Sequence, residues 1–270
     1  MAAAAKDPNS PDVQNHIAQT ILYREMFRAG MLQTQMLGSS NSFLKTPKLK
    51  MSPAAQRQFS KAIQRAMELE RSRLDKSPND TAALYALGVS HGLLGQYDFV
   101  VRKAYLDVLH DITRARKCHA RLTRLDPDWV DAELTQGVYD YVIGSLRLGW
   151  KVLGFLGGLE GNQARGIAAI NRVAKQGNLN RIDATIVLAT IYRREHRSAD
   201  AICVLKPLIP LLPRNYLLRL ELAGMYADLG DRNAALDAVD QVERLWRAHA
   251  PGYETLNADL LRKVREQIRG

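Results

Sequence analysis

The chain has 270 residues, of which 46% are hydrophobic and 7% aromatic, and a net charge of +10. That apolar content can build a large core, as one or two compact domains or one short solenoid, and the abundance of Ala, Leu and Arg favours helix over strand. Two cysteines, Cys118 and Cys203, far apart and without a CxxC spacing, argue against a disulfide framework.

Residues 1–11 have the composition of a leader, with no apolar core of a secretory signal after Met1. The start as given reads as cytoplasmic, with export as the alternative if a signal segment precedes it. From Asp12, read as an N-cap, helical periodicity runs to Leu37 through Ala18, Leu22, Met26 and Ala29. Residues 42–52 read as a basic linker, and Pro53 can open the next helix at its first turn. Phe59, Ile63, Met67 and Leu74 then mark a helix that stops near Pro78. Tyr97 to Leu125 reads as one unusually long helix. Residues 142–180 are less regular.

Two kinds of spacing organise the rest. Leu188-Ala189 with Tyr192 is matched by Leu222-Ala223 with Tyr226, and Ala201-Ile202 by Ala235-Leu236, each pair 34 positions apart. A small residue also follows ten positions after each of three prolines: Pro78 and Gly88, Pro127 and Gly137, Pro213 and Ala223. Proline ends one helix by lacking an N–H, and a small residue further on lets the next helix approach its neighbour closely.

These features resemble the tetratricopeptide repeat. The first unit offers Leu84, Leu87-Gly88, His91, Gly95 as the turn glycine, and Tyr97. The last offers Leu222-Ala223, Tyr226, Gly230 and Ala235. Asp131-Ala132 through Gly137 to Tyr141, a Gly-rich apolar run and Pro213-Arg214-Asn215 are similar to a group of bacterial tetratricopeptide proteins with enlarged repeat units. Members of that group are often exported, and no activity carries over from them. The resemblance implies an all-α solenoid of antiparallel helical hairpins wound as a right-handed superhelix. Residues 1–52 would be a leader, an amphipathic helix and a basic linker, residues 53–245 the array, and residues 246–270 a C-terminal capping helix.

Catalytic and cofactor signatures are missing from the sequence. The six histidines form no HExxH pair, Cys118 and His119 point about 100° apart on a helix, and no phosphate-binding loop occurs. Gly154, Gly157, Gly158 and Gly161 have the wrong spacing for a dinucleotide loop and read as a tight inter-helix turn. Val142 to Leu159 is the most apolar run, but Arg147 and Lys151 argue against a transmembrane span, leaving a buried hairpin or a peripheral membrane contact. The expectation is a non-catalytic protein-interaction scaffold without cofactor or metal, its partner a protein or peptide.

Aligning the units puts Tyr85, Val89, Leu134, Val138, Tyr141, Ile186 and Thr190 on the groove face. Mostly apolar, these positions imply a groove covered by the N-terminal helix and the Gly-rich hairpin or by a partner's amphipathic helix. Arg114, Lys117, Arg121 and Arg124 recur at three- and four-residue steps, with Arg116 and His119 flanking, as a basic stripe. That stripe carries the alternative function, a polyanion- or nucleic-acid-binding repeat protein, less favoured because no aromatics interleave it to stack bases.

Overall fold

The computed structural model describes residues 9–32, 47–145 and 160–269. Among these residues the chain is helical throughout, without a strand, and the helices pack mainly on their neighbours in sequence. Among the described residues they form two compact units, one of residues 9–31 and 47–181, the other of Leu32 and residues 182–269.

The first unit opens with α1 (Pro11–Arg28). Pro11 rather than Asp12 starts it, because a proline's missing N–H costs nothing in a first turn. Asp12 instead sits inside that turn, where its charge opposes the positive end of the helix dipole. The helix ends at Arg28 and not at Leu37, with Gly30 in the left-handed region at φ 67°. α2 (Pro53–Lys76) begins as expected, with Pro53 in its first turn and the Ser52 side chain accepting from the Ala55 N–H. It buries Phe59, Ile63 and Met67. Asp80 caps α3 (Thr81–Tyr97) by accepting from the Ala83 N–H.

The expected long helix from Tyr97 to Leu125 is broken. α3 ends at Tyr97, a π-helical turn occupies Asp98–Arg102, and Lys103 turns left-handed at φ 60° before α4 (Tyr105–Leu125). The Ala104 N–H donates back to the Asp98 carbonyl at 3.1 Å, and the Arg102 guanidinium grips the Asp98 carboxylate at 2.8 Å. This widened turn folds α4 back along α3 as a hairpin. Gly95 is therefore not a turn residue. It lies inside α3, where a Cβ would stand 3.1 Å from the Ile112 side chain.

After a short 3-10 turn at Val130–Ala132 come α5 (Glu133–Gly144) and α6 (Gln163–Gln176), a second hairpin. Its backbones nearly touch. A Cβ on Gly166 would lie 2.6 Å from both the Gly137 carbonyl oxygen and the Tyr141 nitrogen. Of the Gly-rich run, only Gly161 belongs to the described residues; Gly154, Gly157 and Gly158 lie outside them.

The second unit contains α7 (Arg181–Arg194), α8 (Ser198–Leu205), the short α9 (Leu208–Leu211), α10 (Tyr216–Asp228), α11 (Arg232–Arg247) and α12 (Ala258–Arg269). Ala189, Ala201, Leu205, Leu218 and Met225 share one apolar cluster. Ala189 and Ala201 of one period, and Ala223 and Ala235 of the next, are all buried. α12 closes the unit by packing on α11 and α10. No helix among the described residues is long and apolar enough to cross a membrane.

Candidate binding surface

The break before α4 decides which of its faces meets solvent. Ala115, His119 and Leu122 turn inward. His119 packs into the space that Gly88 leaves, for a Cβ there would stand 2.2 Å from the imidazole. The ring stacks on Tyr85 at 5.2 Å, and its Nε2 donates to the Tyr85 carbonyl at 3.0 Å. Burial pushes its pKa down to about 4, against the pull of that carbonyl, so the ring is neutral. With Nε2 as donor, Nδ1 carries a lone pair and no hydrogen-bond partner. His119 therefore does not flank the basic stripe. It faces the core.

The opposite face of α4 is cationic. Arg114, Lys117, Arg121 and Arg124 are all exposed, spanning about 15 Å at 1.5 Å per residue. Leu106 and His110 continue the same strip toward the helix start, all six residues falling within about 80° at 3.6 residues per turn. Leu106 is 82% exposed. Arg121 donates to the Asn79 side chain at 2.9 Å and Arg124 to the Ala120 carbonyl at 3.2 Å, both neutral acceptors. Many other arginines of the unit are matched: Arg73 by Asp80, Arg102 by Asp98 and Asp107, Arg165 by Asp140, Arg172 by Glu133. Among the described residues the four α4 cations have no carboxylate within ion-pair distance. Arg116 is set apart, over the Tyr139 ring at 4.7 Å and 3.9 Å from Asp140.

Beside this strip lies a cleft of about 470 Å³, bounded by α2, the end of α3, the π-turn and α4. Phe59 and Tyr97, stacked at 4.5 Å, form its apolar side. Its polar side is held by internal contacts: Arg102 bridges Asp98 and Asp107, and Asp111 lies 2.8 Å from the Nδ1 of His91. Burial raises the Asp98 carboxyl above its ordinary range while Arg102 opposes that rise. Arg114 joins the cleft to the cationic strip. Among the described residues no cluster of His, Cys, Asp or Glu is arranged to hold a metal ion.

The expected groove positions fall in both units, Tyr85, Val89, Leu134, Val138 and Tyr141 in the first and Ile186 and Thr190 in the second. Tyr85 is buried between His119, Trp129 and Asn180, whose amide donates to its hydroxyl at 2.8 Å. Val89 packs in the same cluster, Tyr141 is buried, and Leu134 and Val138 are half-buried. Ile186 and Thr190 belong to the second unit, Ile186 against its core and Thr190 exposed, its hydroxyl on the Ile186 carbonyl at 2.9 Å. α1 packs on α2 and α3, with the Asn15 amide donating to the Ala86 carbonyl. The proposed cover from the Gly-rich hairpin falls largely on 146–159, outside the described residues.

Three buried polar groupings carry no signal in the sequence. Asn15, Glu70 and Ser90 meet between α1, α2 and α3. Asp131 accepts from the backbone N–H groups of Asn178 and Asn180 at 3.1 and 2.7 Å and fixes the segment entering α7. Arg193 joins Glu221 and Asp228 inside the second unit.

Compared with known proteins, the chain matches no family model, and no curated protein sequence matches it.

Proposed function

We propose that this chain is a non-catalytic scaffold of tetratricopeptide-like hairpins, wound as a right-handed solenoid, that binds an acidic segment of a partner protein along the cationic face of α4. The observation that carries the binding site is the row Arg114, Lys117, Arg121 and Arg124, exposed on one rigid helix and without carboxylate partners among the described residues. Cations left unneutralised repel each other, and an acidic partner relieves that repulsion while gaining charge-assisted hydrogen bonds. The repeat-array reading draws support from the sequential packing of neighbouring helices and from the burial of Ala189, Ala201, Ala223 and Ala235. A nucleic acid would meet the same row, but no Phe, Tyr or Trp stands between Leu106 and Arg124 on which bases could stack.

Fluorescence anisotropy with a labelled Glu-rich peptide and a single-stranded oligonucleotide of equal charge separates these partners. The expected result is peptide binding that weakens with salt, as exposed ion pairs screened over about 10 Å at 0.1 M must. Reversing all four cations to Glu abolishes it. Unchanged peptide binding by that variant sinks the assignment of the face, and tighter binding of the oligonucleotide moves the function to nucleic acid.

A further inference from the structure

The interface of α1 with α2 and α3 buries apolar side chains around a polar cluster. Ala18, Leu22 and Met26 are fully buried there, and among them sits a triad with one residue from each helix. Asn15 comes from α1, Glu70 from α2 and Ser90 from α3, each buried and Glu70 and Ser90 completely so. The Asn15 Nδ2 donates to the Ala86 carbonyl at 3.0 Å and to Glu70 Oε1 at 3.1 Å. Because a carbonyl can only accept, the first contact fixes which end of the Asn15 amide is the NH2. Its Oδ1 must then face Ser90 Oγ, 2.7 Å away. Ser90 Oγ also stands 2.9 and 3.1 Å from the two Glu70 oxygens.

The hydrogens decide the charge state. Both Asn15 Nδ2 hydrogens are used, and Ser90 has one hydroxyl hydrogen for three neighbouring oxygens, none of which donates if Glu70 is ionised. With a proton on Glu70 the ring closes. The Glu70 O–H donates to Ser90, Ser90 donates to Asn15, and Asn15 donates to Glu70. Without it, the one Ser90 hydrogen serves either the carboxylate or Asn15 Oδ1, and the other oxygen faces the hydroxyl lone pair to lone pair at hydrogen-bond distance.

We propose that Glu70 carries a proton when α1 is packed, and that loss of this proton releases α1, making the N-terminal helix a pH-responsive latch. α1 is the element that gives way, because α2 and α3 are joined by a short capped turn while α3 is also held by α4. Among the described residues no cation forms an ion pair with the carboxyl. Asp12 of α1 raises its proton affinity, the exposed Arg71 on its own helix lowers it only weakly, and from α4 the Cys118 thiol feels its charge together with those of Arg114 and Arg121. His91, next to Ser90 in α3, is committed to Asp111. Burial accordingly raises the Glu70 pKa from 4.5 to about 7, more than the Ser90 and Asn15 hydrogen bonds lower it.

A raised carboxyl pKa stabilises the packed state fully below the ordinary value, and that contribution is lost as pH rises toward 7. Between pH 5 and pH 8 the packing equilibrium of α1 falls by about 70-fold on those two values. Hydrogen exchange on the full chain, corrected for intrinsic rates, reads this directly. Amides of Ala18 to Met26 lose protection by that factor, while those in the middle of α3 and α4 hold theirs. Glu70→Gln, which keeps a neutral donor at the same place, makes α1 protection independent of pH. Protection of α1 that does not change with pH in the parent, or a fall that survives Glu70→Gln, overturns the proposal. So does a carboxyl carbon of Glu70 that titrates at the ordinary 4.5.

Discussion

Replacing Arg193 with Met should strand a buried carboxylate. The Arg193 side chain is 5% exposed and that of Glu221 1% exposed. The guanidinium donates to Glu221 Oε1 at 2.9 Å and clamps Asp228 from 2.6 and 3.3 Å, tying the end of α7 to α10. Gly224 leaves room for it, since a Cβ added there would stand 2.6 Å from Arg193 Nη2. Burial alone would lower the Arg193 pKa, but its carboxylate partners outweigh that and hold it charged. Burial pushes the Glu221 carboxyl up, and Arg193 opposes it. Its Oε2 already has no hydrogen-bond partner, so no second donor can take over when Arg193 is removed. Breaking one side of such a pair costs about 3–5 kcal/mol, a large share of the roughly 5–15 kcal/mol that holds a domain folded. In the variant the Glu221 pKa rises further, so folding is penalised above the ordinary carboxyl range and relieved below it. Urea unfolding at pH 8 should show the full loss and unfolding near pH 5 a much smaller one. Adding Glu221→Leu should restore most of the stability at pH 8, since the stranded charge is gone. An Arg193→Met protein as stable as the parent at pH 8, a deficit that ignores pH, or a double variant no better than the single one refutes the reasoning.

Two glycines of α3 form a matched pair. A Cβ at Gly88 meets His119 at 2.2 Å, whereas one at Gly92 meets nothing within 4 Å. Thermal melts should show Gly88→Ala destabilised by about 1–3 kcal/mol and Gly92→Ala stabilised by up to about 1 kcal/mol through helix propensity. Enlarging Ala189, Ala201, Ala223 or Ala235 to Leu should cost about 1–3 kcal/mol each, since all four are buried at helix contacts. Four melts unchanged from the parent would remove the repeat register.

What could be read from the sequence was local or periodic. Pro53 signals a helix start by its chemistry, and the spacing of Gly88 from Pro78 anticipates a close approach that His119 turns out to fill. The exposed row on α4 follows from its three- and four-residue steps alone. The break at Asp98–Arg102 was hidden because it contains no glycine or proline, its apolar Phe99, Val100 and Val101 continue a helical pattern, and the left-handed residue is a lysine. The burial of Tyr85 was hidden for a related reason. Aligning repeats fixes a phase along each helix, yet what covers Tyr85 comes from Trp129 and Asn180, far along the chain. Asn15 and Ser90 lie 75 positions apart, and each alone reads as an ordinary polar residue of a helix.

The π-turn also sets the rotational phase of everything after it. Between Tyr97 and Tyr105 the number of residues determines which side of α4 is presented to α3. One residue more or fewer in that stretch would turn α4 by about 100°. Such a turn would bring the charged strip toward the packed side and carry His119 out of the pocket beside Gly88. A length change there is thus felt along the whole of α4, whereas most surface turns absorb one locally. The segment 98–104 acts as an index mark for the helix that follows, and its length is under tighter constraint than its side chains.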